Sequence, residues 1–480
     1  MKDKRRVMEI FSFYDRSGLE RRLAAMAEKG WLLEKIGSTL WTYRRTEPRK
    51  LTFCVCWFPK ASAFDPEPSE EQQTFYDFCE HTGWTLSASY GQMQVFYNDR
   101  PDPVPIETDP VMEVDAIHRA AKRTTLPSHL VLLALALLNG GLFISRLLGD
   151  PVGLLASATN LFTGVDWVVL IALEAVECGS YFLWHRRAVK AAEQGEFLEA
   201  KNHRTFQIVC LAVVGIGLLY YLASILTSGN PMMMVVALLM FGVYLPGVFL
   251  LTRGMMAFLK KRKVSTGVNR TVTLLSAFVG AFLLVGGITW GVLFGSTRGW
   301  FAGSEETYEY HGNIFTAPQD KLPLTVEDLL DVDYDGYIRE QTNQQSLLLA
   351  QYEARQRPRF DAADFREMPT LEYTVTLVKA PFLYDMCRDH LLLDRAERWN
   401  RDMPEIAWYS YEPADPAPWG AEAAYCWTSR EYGPRNTYLL CYPDRFVEID
   451  FSYGWQVTPE QMTLVAERLG NIDDGYSLRK

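Results

Sequence analysis

LPSHLVLLALALLNGGLFISRLL, residues 126–148, is a run of apolar side chains long enough to cross a lipid bilayer. Four further runs lie at 161–184, 206–228, 231–252 and 272–294. At about 1.5 Å per residue, each covers the ~30 Å hydrocarbon core with a slight tilt. No water is present inside lipid to bond free N–H and C=O groups, so the segments are expected to be helices. The chain therefore reads as an integral membrane protein with a five-helix bundle (126–294) between two polar domains, 1–125 and 295–480.

The connecting loops set an orientation. Lys122 and Arg123 precede the first run, and 149–160 carries no Lys or Arg. The next loop holds Arg186, Arg187, Lys190, Lys201 and Arg204, whereas 227–230 has no positive charge. The last loop carries Arg253, Lys260, Lys261, Arg262, Lys263 and Arg270. Basic loops stay on the cytoplasmic side, so the N-terminus is expected inside and the C-terminal domain outside the cell membrane. Residues 1–25 lack an apolar core and read as a folded start, not a cleavable signal peptide. The basic runs KNHR and KKRK are explained by topology and anionic lipid.

Charge is unevenly spread. The net charge is −10, but residues 295–480 hold 32 Asp and Glu against 18 Lys and Arg, or −14, which leaves the rest near +4. An acidic outer domain argues against a nucleic-acid ligand. Cysteine spacing is uninformative. Cys54 and Cys56 are read as pointing to opposite faces of a strand, and no pair of clusters suits zinc. Cys426 and Cys441 fall on consecutive predicted strands, where a cross-strand disulfide is conceivable.

Residues 1–125 contain an internal duplication. RLAAMAEKGWLLEKIGSTLWTYRR from Arg22 and FYDFCEHTGWTLSASYGQMQVFYND from Phe75 align Gly30-Trp31 with Gly83-Trp84, and Leu33 with Leu86. Each reads as a helix, a Gly stop and a strand-turn-strand. A strand is expected before each helix, at 7–14 and 51–58. Two β-α-β-β units suggest an α+β, ferredoxin-like arrangement. The segment PDPVPIETDP leads into a linking helix at 111–122. Many aromatics (Phe11, Phe13, Tyr14, Trp41, Tyr43, Trp57, Phe58) suit either a core or a peptide or small-ligand site. His81, at a helix end, reads as a cap.

YDRSGLERRLAAMAEKGWLLEK, the second CEHTGWTL and PIETDPVMEVDAIHRA resemble the bacterial family called domain of unknown function 2812. KLPLTVEDLL and YPDRFVEIDFSYGWQVTPEQMTLVAERL are similar to the ectodomain of its longer members. The resemblance implies no activity and supplies no catalytic residues. It implies a regulatory setting, because members are encoded beside PadR-type winged-helix repressors, so a cytoplasmic protein partner of that type is expected.

Candidate site residues lie in the bundle. Asp166, Glu174 and Glu177 fall at about 0°, 80° and 20° around the second helix, forming one stripe. Carboxyls in lipid cost a few kcal/mol each, so they should face inward and be paired, protonated or ion-bound. Arg146 matches Asp166 in depth, and His129 matches Glu177. The stripe reads either as interhelical glue or as a cation or proton site. Gly287, Gly291 and Gly295 permit close helix approach, within the chain or across a homodimer seam.

In the C-terminal domain, alternating segments predict a mainly antiparallel α+β fold. A hairpin is expected at Pro443-Asp444, and a closing helix with Thr458 as N-cap, Pro459, Gln461 and a Gly470 stop. Asp331, Asp333, Asp335 and Gly336 match the first half of a calcium loop, but position twelve is Thr342 instead of Glu. No nucleophile–base set can be assembled with His311 and His390, and no cofactor is expected. The leading expectation is a non-enzymatic membrane regulator coupling an outer sensing domain to a cytoplasmic protein-binding domain. The alternative is transport or lipid handling through the acidic stripe.

Overall fold

A computed structural model describes residues 3–37, 40–100, 102–227, 231–298, 300, 306–330, 332, 336–362, 365–452 and 454–472. The chain divides into two compact units. One holds residues 1–139, 166–216 and 235–291, the other residues 140–165, 217–234 and 292–480. The division cuts across the apolar helices and does not fall at their ends.

The N-terminal region is a duplicated β-α-β-β unit. The first copy is β1 (Lys4–Val7), α1 (Arg16–Glu28), β2 (Trp31–Lys35) and β3 (Trp41–Arg45). The second is β4 (Thr52–Trp57), α2 (Glu70–His81), β5 (Thr85–Tyr90) and β6 (Met93–Asn98). The sheets run β1-β3-β2 and β4-β6-β5, antiparallel throughout. Even the bulge is repeated, between Leu33 and Lys35 in one and between Leu86 and Ala88 in the other. The strands thus form two three-stranded sheets, not the one antiparallel sheet expected of a ferredoxin-like arrangement.

Local chemistry explains the helix boundaries. Asp15 accepts from Gly18 N–H (3.0 Å) and Ser69 from Gln72 N–H (3.2 Å), capping α1 and α2. Gly30 (φ 77°) and Gly83 (φ 89°) adopt the left-handed backbone that stops each helix. A Cβ at Gly30 would also lie 2.8 Å from the Thr46 carbonyl. Leu19, Leu23, Met26 and Ala27 of α1 bury against Leu32, Tyr43, Phe53 and Val55.

The strand expected at 7–14 ends at Val7, the last residue paired with β3. Residues 8–14 leave the sheet because Ser12, Phe13 and Tyr14 find their partners on a later helix.

α3 (Pro110–Ala120) passes through a π-helical turn, Ala121–Thr125, into α4 (Leu126–Gly149). Next come α5 (Pro151–Ala156), α6 (Ala158–Glu193), α7 (Arg204–Thr227) and α8 (Pro231–Leu239). A second π turn, Met240–Tyr244, leads to α9 (Leu245–Lys261), and α10 (Thr266–Thr297) follows. Pro127 and Pro246 each stand just after a π turn. A proline has no N–H and its ring crowds the carbonyl four residues back, so the helix widens there instead of breaking.

Among the described residues, four helices are long and apolar enough to cross a membrane: Pro110–Gly149, Arg204–Thr227, Met232–Lys261 and Thr266–Ser296. Their outward side chains fit lipid, since Leu219, Leu238 and Phe282 are 68, 70 and 74 % exposed. The second expected span is also helical, as α6, but it is not one of the four. It carries Asp166, Glu174 and Glu177.

The C-terminal domain opens with the hairpin β7 (Glu306–Tyr310) and β8 (Asn313–Ala317), then α11 (Val326–Leu329). Next in the chain are β9 (Tyr337–Gln345), β10 (Leu349–Pro358), β11 (Leu371–Val378), α12 (Tyr384–Asn400) and β12 (Tyr409–Ala414). β13 (Ala423–Ser429), β14 (Gly433–Tyr442), β15 (Arg445–Phe451) and α13 (Pro459–Leu469) are the last of the described elements. Seven strands form one antiparallel sheet in the order β12-β13-β14-β15-β11-β10-β9. The hairpin at Pro443-Asp444 pairs Tyr442 with Arg445 as expected. α13 has the expected capping box, with Thr458 and Gln461 bonded reciprocally. Gly470 is the stop expected for α13, as its C-cap with φ −66°, and a Cβ there would lie 2.5 Å from the Ala466 carbonyl.

The sheet is covered on both faces. Tyr352, Tyr373, Val375, Leu440, Val447 and Ile449 pack against Val326, Leu329, Trp419, Val465 and Leu469. Leu349, Val378, Leu439 and Phe446 pack against Cys387 of α12 and against Val152 and Ala156 of α5. Ser346 Oγ donates to the Leu155 carbonyl at 2.6 Å. The short α5 between two apolar helices is therefore part of this domain's core, which loop length alone did not suggest.

Several expected pairings are not found. Cys426 faces Tyr438 and Cys441 faces Ala423, so the two are out of register for a disulfide, and both thiols are free. Cys54 and Cys56 share a face, with Sγ atoms 3.4 Å apart, because side chains two apart on a strand point the same way. Among the described residues, none comes within 4 Å of a Cβ built at Gly287 or Gly291.

Candidate functional site

The acidic stripe of α6 meets the N-terminal region. From Ala158 to Glu177 the helix has 20 residues, about 30 Å at 1.5 Å each, so Glu174 and Glu177 stand near one end of a membrane-length segment. Both carboxyls are buried. Glu174 Oε2 meets His129 Nδ1 of α4 at 2.6 Å. Glu177 Oε1 accepts from Ser12 Oγ at 2.9 Å and from the Gln207 amide of α7. Gln207 Nε2 also approaches Ser12 Oγ at 3.3 Å. His129 was expected opposite Glu177 and pairs one turn away instead. Asp166 keeps a buried Oδ1 with no hydrogen-bond partner among the described residues.

The same face of α6 continues into the N-terminal core. Tyr181, Trp184, Ala188 and Ala192 recur every three or four residues and are buried in the cluster built on Tyr14, Leu19 and Leu23. Tyr14 lies 5.6 Å from Tyr181 and 5.3 Å from Trp184 between ring centroids, and Phe13 lies 5.2 Å from Tyr181. His118 of α3 meets the Tyr181 hydroxyl at 2.8 Å and stacks on His185 at 4.1 Å. The 8–14 segment, α3, α6 and α7 thus share one polar and aromatic junction. Nothing in the sequence singled out Ser12 or Gln207. The aromatic pattern of Phe13, Tyr14, Tyr181 and Trp184 was visible, but its two halves lie far apart in the chain.

A second charged cluster ties α3 to the repeats. Arg16 contacts Glu20 (2.8 Å), Glu107 (3.2 Å) and Glu113 (2.5 Å), and Glu20 also accepts from the Val55 N–H at 2.8 Å. One guanidinium serves three carboxyls. Burial pushes Glu107 up to about 7, against the pull of Arg16 and with help from Glu113 and Glu20. His81 ends α2 with Nδ1 2.6 Å from the Asp77 carbonyl, as a cap would.

Among the described residues no group of three or more His, Cys, Asp or Glu could hold a metal ion. Asp331, Asp333 and Asp335 lie outside the described residues. The segment after them is strand β9, with Thr342 paired to Glu353, whereas an EF-hand loop leads into a helix. The arrangement at α6 ties the 8–14 segment, α4 and α7 to one helix through buried hydrogen bonds of Glu174 and Glu177.

Residues 16–128 match the family model described as "Protein of unknown function (DUF2812)", which bears out the resemblance over that region. No curated protein and no solved structure matches the chain.

Proposed function

We propose, for a chain whose N-terminal region is of the DUF2812 kind, a non-enzymatic membrane regulator. Its C-terminal domain reads a ligand or an envelope condition, and its duplicated N-terminal domain binds a cytoplasmic protein, of which a PadR-type repressor is one form. In this reading α6 is a fifth span, and the loop charges support an N-terminus in the cytoplasm and a C-terminal domain outside. The supporting observation is the bonding of Glu177 to Ser12 and Gln207, which with Tyr181 and Trp184 makes one membrane-length helix part of the N-terminal core. Displacing α6 would then disturb that domain directly, as a coupling element must.

The test is crosslinking of the tagged full-length protein in its native host, with identification of the proteins that co-purify. A regulator recovered with the wild-type chain, and in altered amount with Glu177→Gln, supports the reading. Recovery indifferent to that variant, or no cytoplasmic partner at all, counts against it. The unpartnered Oδ1 of Asp166 favours the second reading, solute or lipid handling by the stripe. That reading requires Asp166→Asn to change solute tolerance while the N-terminal domain is dispensable.

A further inference from the structure

The two repeats and the 124–125 turn line a half-open cavity of about 360 Å³, within the size range of small-molecule sites. Phe11, Phe13, Trp41, Trp57 and Met93 form its apolar walls, with Trp41 from the first repeat and Trp57 and Met93 from the second. Trp41 is fixed edge-on to Phe11 at 5.4 Å. None of the lining residues is basic, and Glu9 is the one acid among them. The Glu9 carboxylate is 2 % exposed and held in place by the Tyr43 hydroxyl (2.9 Å) and Arg22 (3.2 Å), neither of which lines the cavity.

We propose that this cavity binds a planar, lipophilic organic cation. Aromatic faces carry negative quadrupole charge and attract a cation that water holds weakly. The Glu9 carboxylate adds to the same sign of field, reduced by its pairing with Arg22, and the lining offers an anion no basic side chain. The rim is the foot of the first membrane helix. Thr124 Oγ1 donates to Gln92 Oε1 at 2.9 Å, and Gln92 Nε2 and Arg123 both donate to the Pro59 carbonyl at 3.0 Å. Thr124 and Thr125 belong to the π turn and line the opening. A bound cation therefore presses on the widened turn from which α4 starts. The site concerns the N-terminal region alone and stands whether or not that region recruits a partner.

The experiment uses the full-length protein in zwitterionic nanodiscs, titrated with rhodamine 6G as the cation and N-phenyl-1-naphthylamine as a neutral aromatic. Empty nanodiscs give the lipid background. Saturable cation binding above that background is expected. Ala63→Phe, which fills the opening, and Tyr90→Ala, which removes an exposed wall, should each weaken it by about tenfold or more. Glu9→Gln should weaken the cation by about tenfold while leaving the neutral probe within about twofold. Circular dichroism and thermal unfolding confirm that each variant folds. Binding no greater than to empty discs, or indifferent to both Ala63→Phe and Tyr90→Ala, overturns the site. Equal loss of both probes in Glu9→Gln overturns the charge selectivity.

Discussion

Glu107→Gln should flatten the pH dependence of the Arg16 cluster. Glu107 sits at about 7 instead of the ordinary 4.5, so keeping it ionised costs roughly 3 kcal/mol at about 1.4 kcal/mol per tenfold. Its side chain is 20 % exposed, so solvent screens little of this. A raised carboxyl binds more protons folded than unfolded between pH 4.5 and 7. Stability is therefore fully present below 4.5 and falls as pH rises through 7. The variant keeps the shape and cannot ionise, and Arg16 retains Glu20 and Glu113. Hydrogen exchange of amides in 102–120, corrected for intrinsic rates, reports the local opening free energy from pH 5 to 8. The wild-type value should fall by up to about 3 kcal/mol over that window, and the variant should stay level. An equal slope in both proteins, or a flat wild type, would refute the assignment of the proton to Glu107.

Gly30→Ala forces a side chain into φ 77° and to within 2.8 Å of the Thr46 carbonyl, and should cost about 2 kcal/mol or more in thermal unfolding. Gly287→Ala, with open space around it, should be tolerated in the same assay. Glu177→Leu leaves Ser12 and Gln207 buried without their acceptor, at about 1–3 kcal/mol. Faster exchange in both 8–14 and 204–210 is its signature; a change confined to α6 would contradict a shared junction. Maleimide labelling of denatured, unreduced protein should modify both Cys426 and Cys441, and protection of the pair would contradict the register.

Much of this architecture was legible because it is local. Apolar runs of fixed length gave the helices, glycines before tryptophans marked the repeated stops, and Thr458 with Gln461 marked the closing cap. The features that escaped depend on contacts distant in the chain. Residues 8–14 alternate like a strand, yet they dock on Tyr181 and Trp184, some 170 positions later. The stripe itself was visible, but equal depth was a poor guide to partners: His129 chose Glu174, and Glu177 chose a serine and a glutamine that carry no motif. The prolines after both π turns were in plain sight, and their effect comes from the missing N–H.

The burial of Val152 and Ala156 under strands made much later bears on how the chain is synthesised. Ser346 and Leu155 are separated by 191 positions. At roughly 5–20 residues per second, ribosomes need about 10–40 s to supply the partner strands. Throughout that interval the α5 segment is a finished but uncovered piece of apolar surface. Nascent chains that stall between residues 160 and 345 should consequently be recognised by quality-control proteases more readily than those stalled after 451, when the sheet that covers it is complete.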